Sequence, residues 1–104
     1  MPRAHNTNIT GGAFAEDTIE AVWQKGMPEP DLRFFRKDAC GVSIERAKYG
    51  KTELWGWEVD HIRPVAKSGT DAIDNLQPLH GRTTAIRATT GLTGRAKSYS
   101  EGAL

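Results

Sequence analysis

An aspartate stands beside a histidine at residues 60 and 61, and an asparagine follows at residue 75. Asp60 and His61 lie near the end of an alternating apolar segment, residues 54–62, and Asn75 precedes a second short apolar run. A carboxylate is a hard oxygen ligand for a divalent cation, and an imidazole that titrates near neutrality is a general base. An isolated Asp–His pair is more often two solvated side chains, but this spacing favours one small site.

Two short strands and a helix must position these groups. Residues 54–62 and 76–79 predict strands, residues 67–70 a loop and residues 71–75 a helical or tight turn. A helix is predicted from residue 81 to residue 90. Strict alternation places His61 and Asp60 on opposite faces of the first strand. A bulge or the end of the strand must therefore re-aim His61 if both residues share a site.

The remaining segments predict a small α+β domain. Residues 15–25 predict an N-terminal helix, residues 27–30 an extended connector and residues 42–44 a strand. Side chains expected in the core include Leu32, Phe34, Phe35 and the three tryptophans, Trp23, Trp55 and Trp57. Cys40 is expected to be a small buried hydrophobic residue. His5 is expected to be solvated. Residues 1–12 are interpreted as a flexible leader, residues 13–92 as the domain and residues 93–104 as a basic flexible tail.

Composition excludes several classes of protein. The 104 residues suit one domain with a small core, and the net charge of +1 does not by itself indicate a nucleic-acid-binding protein. No apolar run is long enough for a membrane span, and no secretory signal is visible. One cysteine allows no internal disulfide and makes a structural zinc site improbable. We expect a cytoplasmic protein without a small-molecule cofactor.

The segment that carries Asp60, His61 and Asn75 resembles the HNH endonuclease family, whose ββα-metal motif cleaves phosphodiester bonds with one divalent metal. Upstream, residues 21–26, 36–41 and 49–50 resemble the lead-in of a small bacterial and phage subgroup of that family. The resemblance covers roughly residues 16–82. It implies a β-hairpin followed by a helix, with an N-terminal helix before them.

The resemblance also implies a role for each motif residue. His61 would be the general base that takes a proton from the attacking water, and Asp60 would bind Mg²⁺ or Mn²⁺. Asn75 would fix the loop so that His61 points correctly. The helix from residue 81 would supply the remaining metal ligand and lie close to the nucleic-acid backbone.

The last helix departs from the family pattern. The third motif position, nine residues after Asn75, is Thr84, and a hydroxyl is a poor metal ligand compared with an imidazole or an amide carbonyl. Ala88 stands where some members have another histidine. His80 is a substitute ligand, although we rank a helix-cap or packing role above a metal role for it.

Two functions follow from this pattern. The first is a metal-dependent endonuclease that hydrolyses DNA, impaired to the extent that Thr84 binds metal weakly. The second is a catalytically degenerate relative that binds nucleic acid, or that binds and regulates another protein. In either case the basic residues expected to contact nucleic acid are Arg63, Lys67, Arg82 and Arg87.

Overall fold

A computed structural model describes residues 5–83 of the chain. Helix α1 spans Glu16–Trp23 and is followed by an antiparallel sheet of three short strands. These strands are β1 (Met27–Pro28), β2 (Phe35–Lys37) and β3 (Ser43–Glu45), and they lie in that order.

A second antiparallel pair contains the motif. It consists of β4 (Trp57–His61) and β5 (Leu76–His80), which run in an uninterrupted register from the Trp57–His80 pair to the His61–Leu76 pair. Residues 81–83 are helical. The predicted fold class is therefore confirmed: an α+β chain with an N-terminal helix and a β-hairpin that leads into a helix.

The core forms where α1 packs on this hairpin. Ile19, Val22 and Trp23 recur at helical spacing, and all three are buried. The ring of Trp23 lies 5.2 Å from the ring of Trp57, which is completely buried. These contacts confirm the predicted helix and the core positions of both tryptophans. The buried apolar cluster comprises Phe14, Ile19, Val22, Trp23, Ile44, Trp57, Val59 and Leu76.

Several predicted core residues are exposed, so those predictions are wrong. Strand β4 begins at Trp57 rather than at residue 54, because the backbone turns sharply before it. Trp55 has a φ of 66°, and a Cβ on Gly56 would lie 2.1 Å from the carbonyl oxygen of Lys51. Trp55 lies in this turn and is 40% exposed. In the segment before β2, Leu32 is 49% exposed and Phe34 is 62% exposed.

Of the connector predicted as extended, residues 27–30, the first two residues form the edge strand β1 and residue 30 lies in a turn. Pro28 is compatible with this position because an edge strand leaves one side of its backbone without ladder partners. Phe35 in β2 is half-buried and meets the ring of Trp55 edge-on at 5.3 Å.

Asp38 joins the three-stranded sheet to the hairpin. Its Oδ1 accepts the backbone N–H groups of Cys40 and Val42 at 2.8 Å each, and its Oδ2 accepts the N–H of His80 at 2.7 Å. Burial raises the pKa of the Asp38 carboxyl, and these backbone hydrogen bonds oppose that shift. Cys40 is buried, as predicted.

Within residues 5–83 the structure contains no helix long and apolar enough to cross a membrane.

Candidate active site

The end of the β4–β5 hairpin positions the Asp–His pair. Asp60 lies opposite Gln77, and His61, the last residue of β4, lies opposite Leu76. Because the register is continuous, β4 contains no bulge, and the two side chains leave the backbone toward opposite faces. Any site that uses both residues must therefore wrap around the end of the hairpin.

His61 is held by a carboxylate that sequence reasoning missed. Its Nε2 lies 2.7 Å from Oδ1 of Asp71, while the other oxygen of Asp71 accepts the backbone N–H of Ile9 at 3.1 Å. The imidazole also lies 5.8 Å from the ring of Phe14, and its side chain is only 8% exposed. An ionised carboxylate can only accept a hydrogen bond, so Nε2 carries the proton in the neutral ring and Nδ1 has the lone pair.

A weak signal for Asp71 exists in the sequence. The loop between the strands starts and ends at the His61–Leu76 pair, so an acidic residue of that loop can fold back to the histidine. Asp71 and Asp74 both qualify, and nothing in the sequence distinguishes them. The choice between them depends on how the loop folds back.

Asn75 closes this loop with its side chain. Its Oδ1 accepts the N–H of Arg63 at 2.8 Å, and its Nδ2 donates to the carbonyl oxygens of Arg63 at 3.2 Å and Thr70 at 2.7 Å. The backbone carbonyl of Asn75 also accepts the N–H of Ile62 at 2.7 Å. Gly69 lies so close to Arg63 that a Cβ would be 1.7 Å from its carbonyl oxygen. The start of the loop that follows His61 is thus joined to its end by the side chain of Asn75.

The opposite face of the hairpin is rich in oxygen. Gln77 is 2% exposed, and its Nε2 donates to Oδ2 of Asp60 at 2.9 Å. Glu58, two residues before Asp60 on the same face, is 3% exposed, and burial raises the pKa of its carboxyl. Oε1 of Glu58 lies 2.6 Å from Nδ1 of His5. The prediction that His5 is simply solvated is therefore wrong, since its side chain is half-buried against this carboxyl.

Other leader residues also contact the hairpin. The Oδ1 atom of Asn6 accepts hydrogen bonds from the Tyr49 hydroxyl and from the N–H of Val59, each at 2.9 Å. Together with His5 and Ile9, Asn6 places the leader from residue 5 onward against β4 and Asp71. The flexibility proposed for residues 1–12 stays a prediction.

His80 lies at the far end of the hairpin from Asp60. It pairs with Trp57 on the opposite face, three residues along the strand, which corresponds to about 10 Å. Its Nδ1 accepts the N–H of Arg82, where the helical segment begins. Burial lowers the pKa of His80, and the charge of Asp38 opposes that effect. The structure does not bring His80 to Asp60.

The basic residues divide between the two ends of the hairpin. Arg63 and Lys67 are exposed in the loop beside His61, whereas Arg82 is exposed beyond the end of β5. The predicted third motif residue, Thr84, and the predicted phosphate contact Arg87 lie outside the described residues. Within residues 5–83, no group of three or more His, Cys, Asp or Glu side chains is arranged to hold a metal ion.

A scan of family models matches residues 47–82 to the model described as HNH endonuclease. The match includes β4, β5 and the loop between them. Searches of curated proteins and of solved structures give no match.

Proposed function

We propose that the protein is a divalent-metal-dependent endonuclease that hydrolyses DNA phosphodiester bonds, on the premise that residues 47–82 match the family model described as HNH endonuclease. The observation that carries the proposal is the anchored imidazole. His61 bonds to Asp71, and the loop that follows it is held by Asn75. General-base catalysis requires an imidazole whose orientation and tautomer are fixed in this way.

The residues on the Asp60 face fit a hard cation. Mg²⁺ and Mn²⁺ prefer oxygen ligands, and Asp60 supplies a carboxylate beside the buried amide of Gln77. Oε1 of Gln77 is buried without a hydrogen-bond partner among residues 5–83, which is the kind of atom that an ion satisfies. Thr84 remains a proposed weak ligand. A bound ion would stabilise negative charge on the scissile phosphate and the leaving oxygen.

His61 performs the proton transfer in this mechanism. Nδ1 accepts a proton from the water that attacks phosphorus, while Nε2–H stays bonded to Asp71, whose charge stabilises the imidazolium that forms. Asn75 acts as a positioning residue, because its side chain holds the two segments of loop beside His61. Arg63 and Lys67 lie in that loop and bind the phosphates that flank the reacting one, with Arg82 and Arg87 at more distant phosphates.

A degenerate relative that binds nucleic acid or regulates another protein is the second candidate. It is favoured by the burial of His61, whose side chain is only 8% exposed to the water that it must deprotonate. For either function we propose a cytoplasmic setting, because the single cysteine requires no oxidising compartment.

The two candidates, nuclease and binding protein, are distinguished by incubating supercoiled plasmid with the full chain and increasing concentrations of Mg²⁺ or Mn²⁺. The nuclease proposal predicts nicked and linear products that require metal and disappear with His61→Ala. If neither metal produces cleavage while the protein still shifts DNA in a gel, the binding function is correct instead. Equal cleavage by the wild type and His61→Ala would identify a contaminant and reject the proposal.

A further inference from the structure

Gln77 occupies a position from which it can reach whatever Asp60 binds. The two residues are direct partners across the hairpin, so their side chains leave the same face. Nε2 of Gln77 donates to Oδ2 of Asp60 at 2.9 Å, which fixes the amide beside the carboxylate. The residue is 2% exposed and therefore has few other orientations available.

The oxygen of the Gln77 amide has no hydrogen-bond partner among residues 5–83. This oxygen, Oε1, is buried. Buried amide oxygens nearly always have a partner, and an exception calls for a ligand such as an ion or a water molecule. The orphaned atom is an oxygen, the donor type that Mg²⁺ and Mn²⁺ prefer.

The charge around this atom favours a cation. Asp60 lies beside it, and Glu58 is on the same face two residues away. Glu58 is 3% exposed, and its Oε1 lies 2.6 Å from Nδ1 of His5. A divalent ion held at Asp60 would satisfy the amide oxygen and lie beside these two acidic side chains.

We propose that Oε1 of Gln77 is a ligand of the divalent ion that Asp60 binds, so that each strand of the hairpin supplies one oxygen ligand. This inference rests on the proposed metal-dependent function. Gln77 would supply from β5 a metal ligand stronger than the hydroxyl of Thr84. Neither the family resemblance nor the pattern of charged residues assigns this role to Gln77.

Two variants test the ligand by binding and spectroscopy rather than by activity. Gln77→Leu removes the oxygen in a similar volume, and isothermal titration of the full chain with MnCl₂ should give a Kd about tenfold weaker. Gln77→His places a nitrogen at the same position, and electron spin-echo spectroscopy of bound Mn²⁺ should then show an additional directly coordinated ¹⁴N. Gln24→His, which adds an imidazole on an exposed residue, should show none.

The outcomes separate this inference from the function on which it rests. If Asp60→Asn abolishes Mn²⁺ binding while Gln77→Leu leaves Kd within about twofold and Gln77→His adds no coupling, Gln77 is not a ligand and the metal site stands. If the wild type binds no Mn²⁺ at millimolar concentration, or Asp60→Asn binds it equally well, both proposals fail. Melting in EDTA checks that each variant is folded, and if Gln77→Leu does not fold, the spectrum of Gln77→His decides.

Discussion

The hydrogen bond between His61 and Asp71 decides which ring nitrogen is available as the base. Nε2 is bonded to a carboxylate that can only accept, so the proton stays on Nε2 and the lone pair stays on Nδ1. Asp71 is itself held by the N–H of Ile9, and this second contact orients the carboxylate. The geometry of the base therefore depends on a residue from the loop and on another from the leader.

Replacing Asp71 with alanine should lower the single-turnover rate of DNA cleavage by about 10- to 100-fold, because the imidazole loses its orientation and its preferred tautomer. Nitrogen chemical shifts of His61, measured by NMR without metal or substrate, should show both tautomers in the variant and one in the wild type. Asp74→Ala is the matched control, since Asp74 is exposed in the same loop. An equal loss of activity in both variants would argue against a specific role for Asp71.

The shape of the loop between β4 and β5 depends on the side chain of Asn75. Asn75 makes three hydrogen bonds to the backbone of Arg63 and Thr70, and these bonds join the start of the loop to its end. The loop has no apolar core of its own that would replace them, because Ala66, Ala72 and Ile73 are exposed. Polar contacts therefore determine the shape of this part of the site.

Asn75→Ala should reduce the free energy of unfolding by about 1–3 kcal/mol, since it removes the partners of one N–H and two carbonyls. Amide hydrogen exchange at Arg63 should accelerate, because its N–H loses its acceptor. Cleavage should decrease in parallel through disorder at His61. If exchange at Arg63 is unchanged, the loop is held by something other than Asn75.

Strand β4 also carries a pH-dependent contribution to stability. Burial raises the pKa of Glu58 above its ordinary value, so folding favours the protonated carboxyl. The stability that Glu58 contributes is therefore complete below its unfolded pKa of about 4.3 and is lost as the pH rises through the folded value. Glu58→Gln should lack this decline in chemical denaturation measured from pH 4 to pH 8. Glu16→Gln, which changes an exposed carboxyl, should retain the decline in stability. If Glu58→Gln shows a decline of the same size as the wild type, the decline belongs to another titratable group.

The elements with a local signal could be predicted from the sequence, and the contacts between them could not. The spacing of Ile19, Val22 and Trp23 predicts α1, and the alternating segments predict the hairpin. Strand β1 has only two residues, too few for a periodicity to be visible. The contact between Asp71 and His61 depends on the path of the loop, and the contact between Gln77 and Asp60 depends on the strand register. Both are tertiary properties.

At the scale of the whole molecule, Asp38 is a buried polar link between the two sheets. Three backbone N–H groups, from Cys40, Val42 and His80, donate to one carboxylate, and the last of them belongs to the hairpin. The N–H of Ala39 donates to the carbonyl of Pro78 at 3.1 Å and reinforces the same junction. The position of the hairpin on the rest of the chain therefore depends on this turn.

Asp38→Ala should cost about 3 kcal/mol in the free energy of unfolding, because three N–H groups lose their acceptor and at least two of them are buried. For a domain of this size the melting temperature should fall by more than about 10 °C. Thermal unfolding followed by circular dichroism measures both quantities. Asp31→Ala, at an exposed position, should change neither, and a similar melting temperature for Asp38→Ala would show that the junction does not depend on this carboxylate.

Chemical rescue most directly tests the assignment of His61 as the general base of a metal-dependent nuclease. His61→Gly removes the imidazole from beside Asp71, and in the presence of Mn²⁺ its cleavage of plasmid DNA should be slower than wild type by about 10²- to 10⁴-fold. Added imidazole should restore part of the rate to His61→Gly and leave the wild type unchanged. Cleavage by His61→Gly at the wild-type rate, without imidazole, would contradict the assignment of His61 as the base of a metal-dependent nuclease.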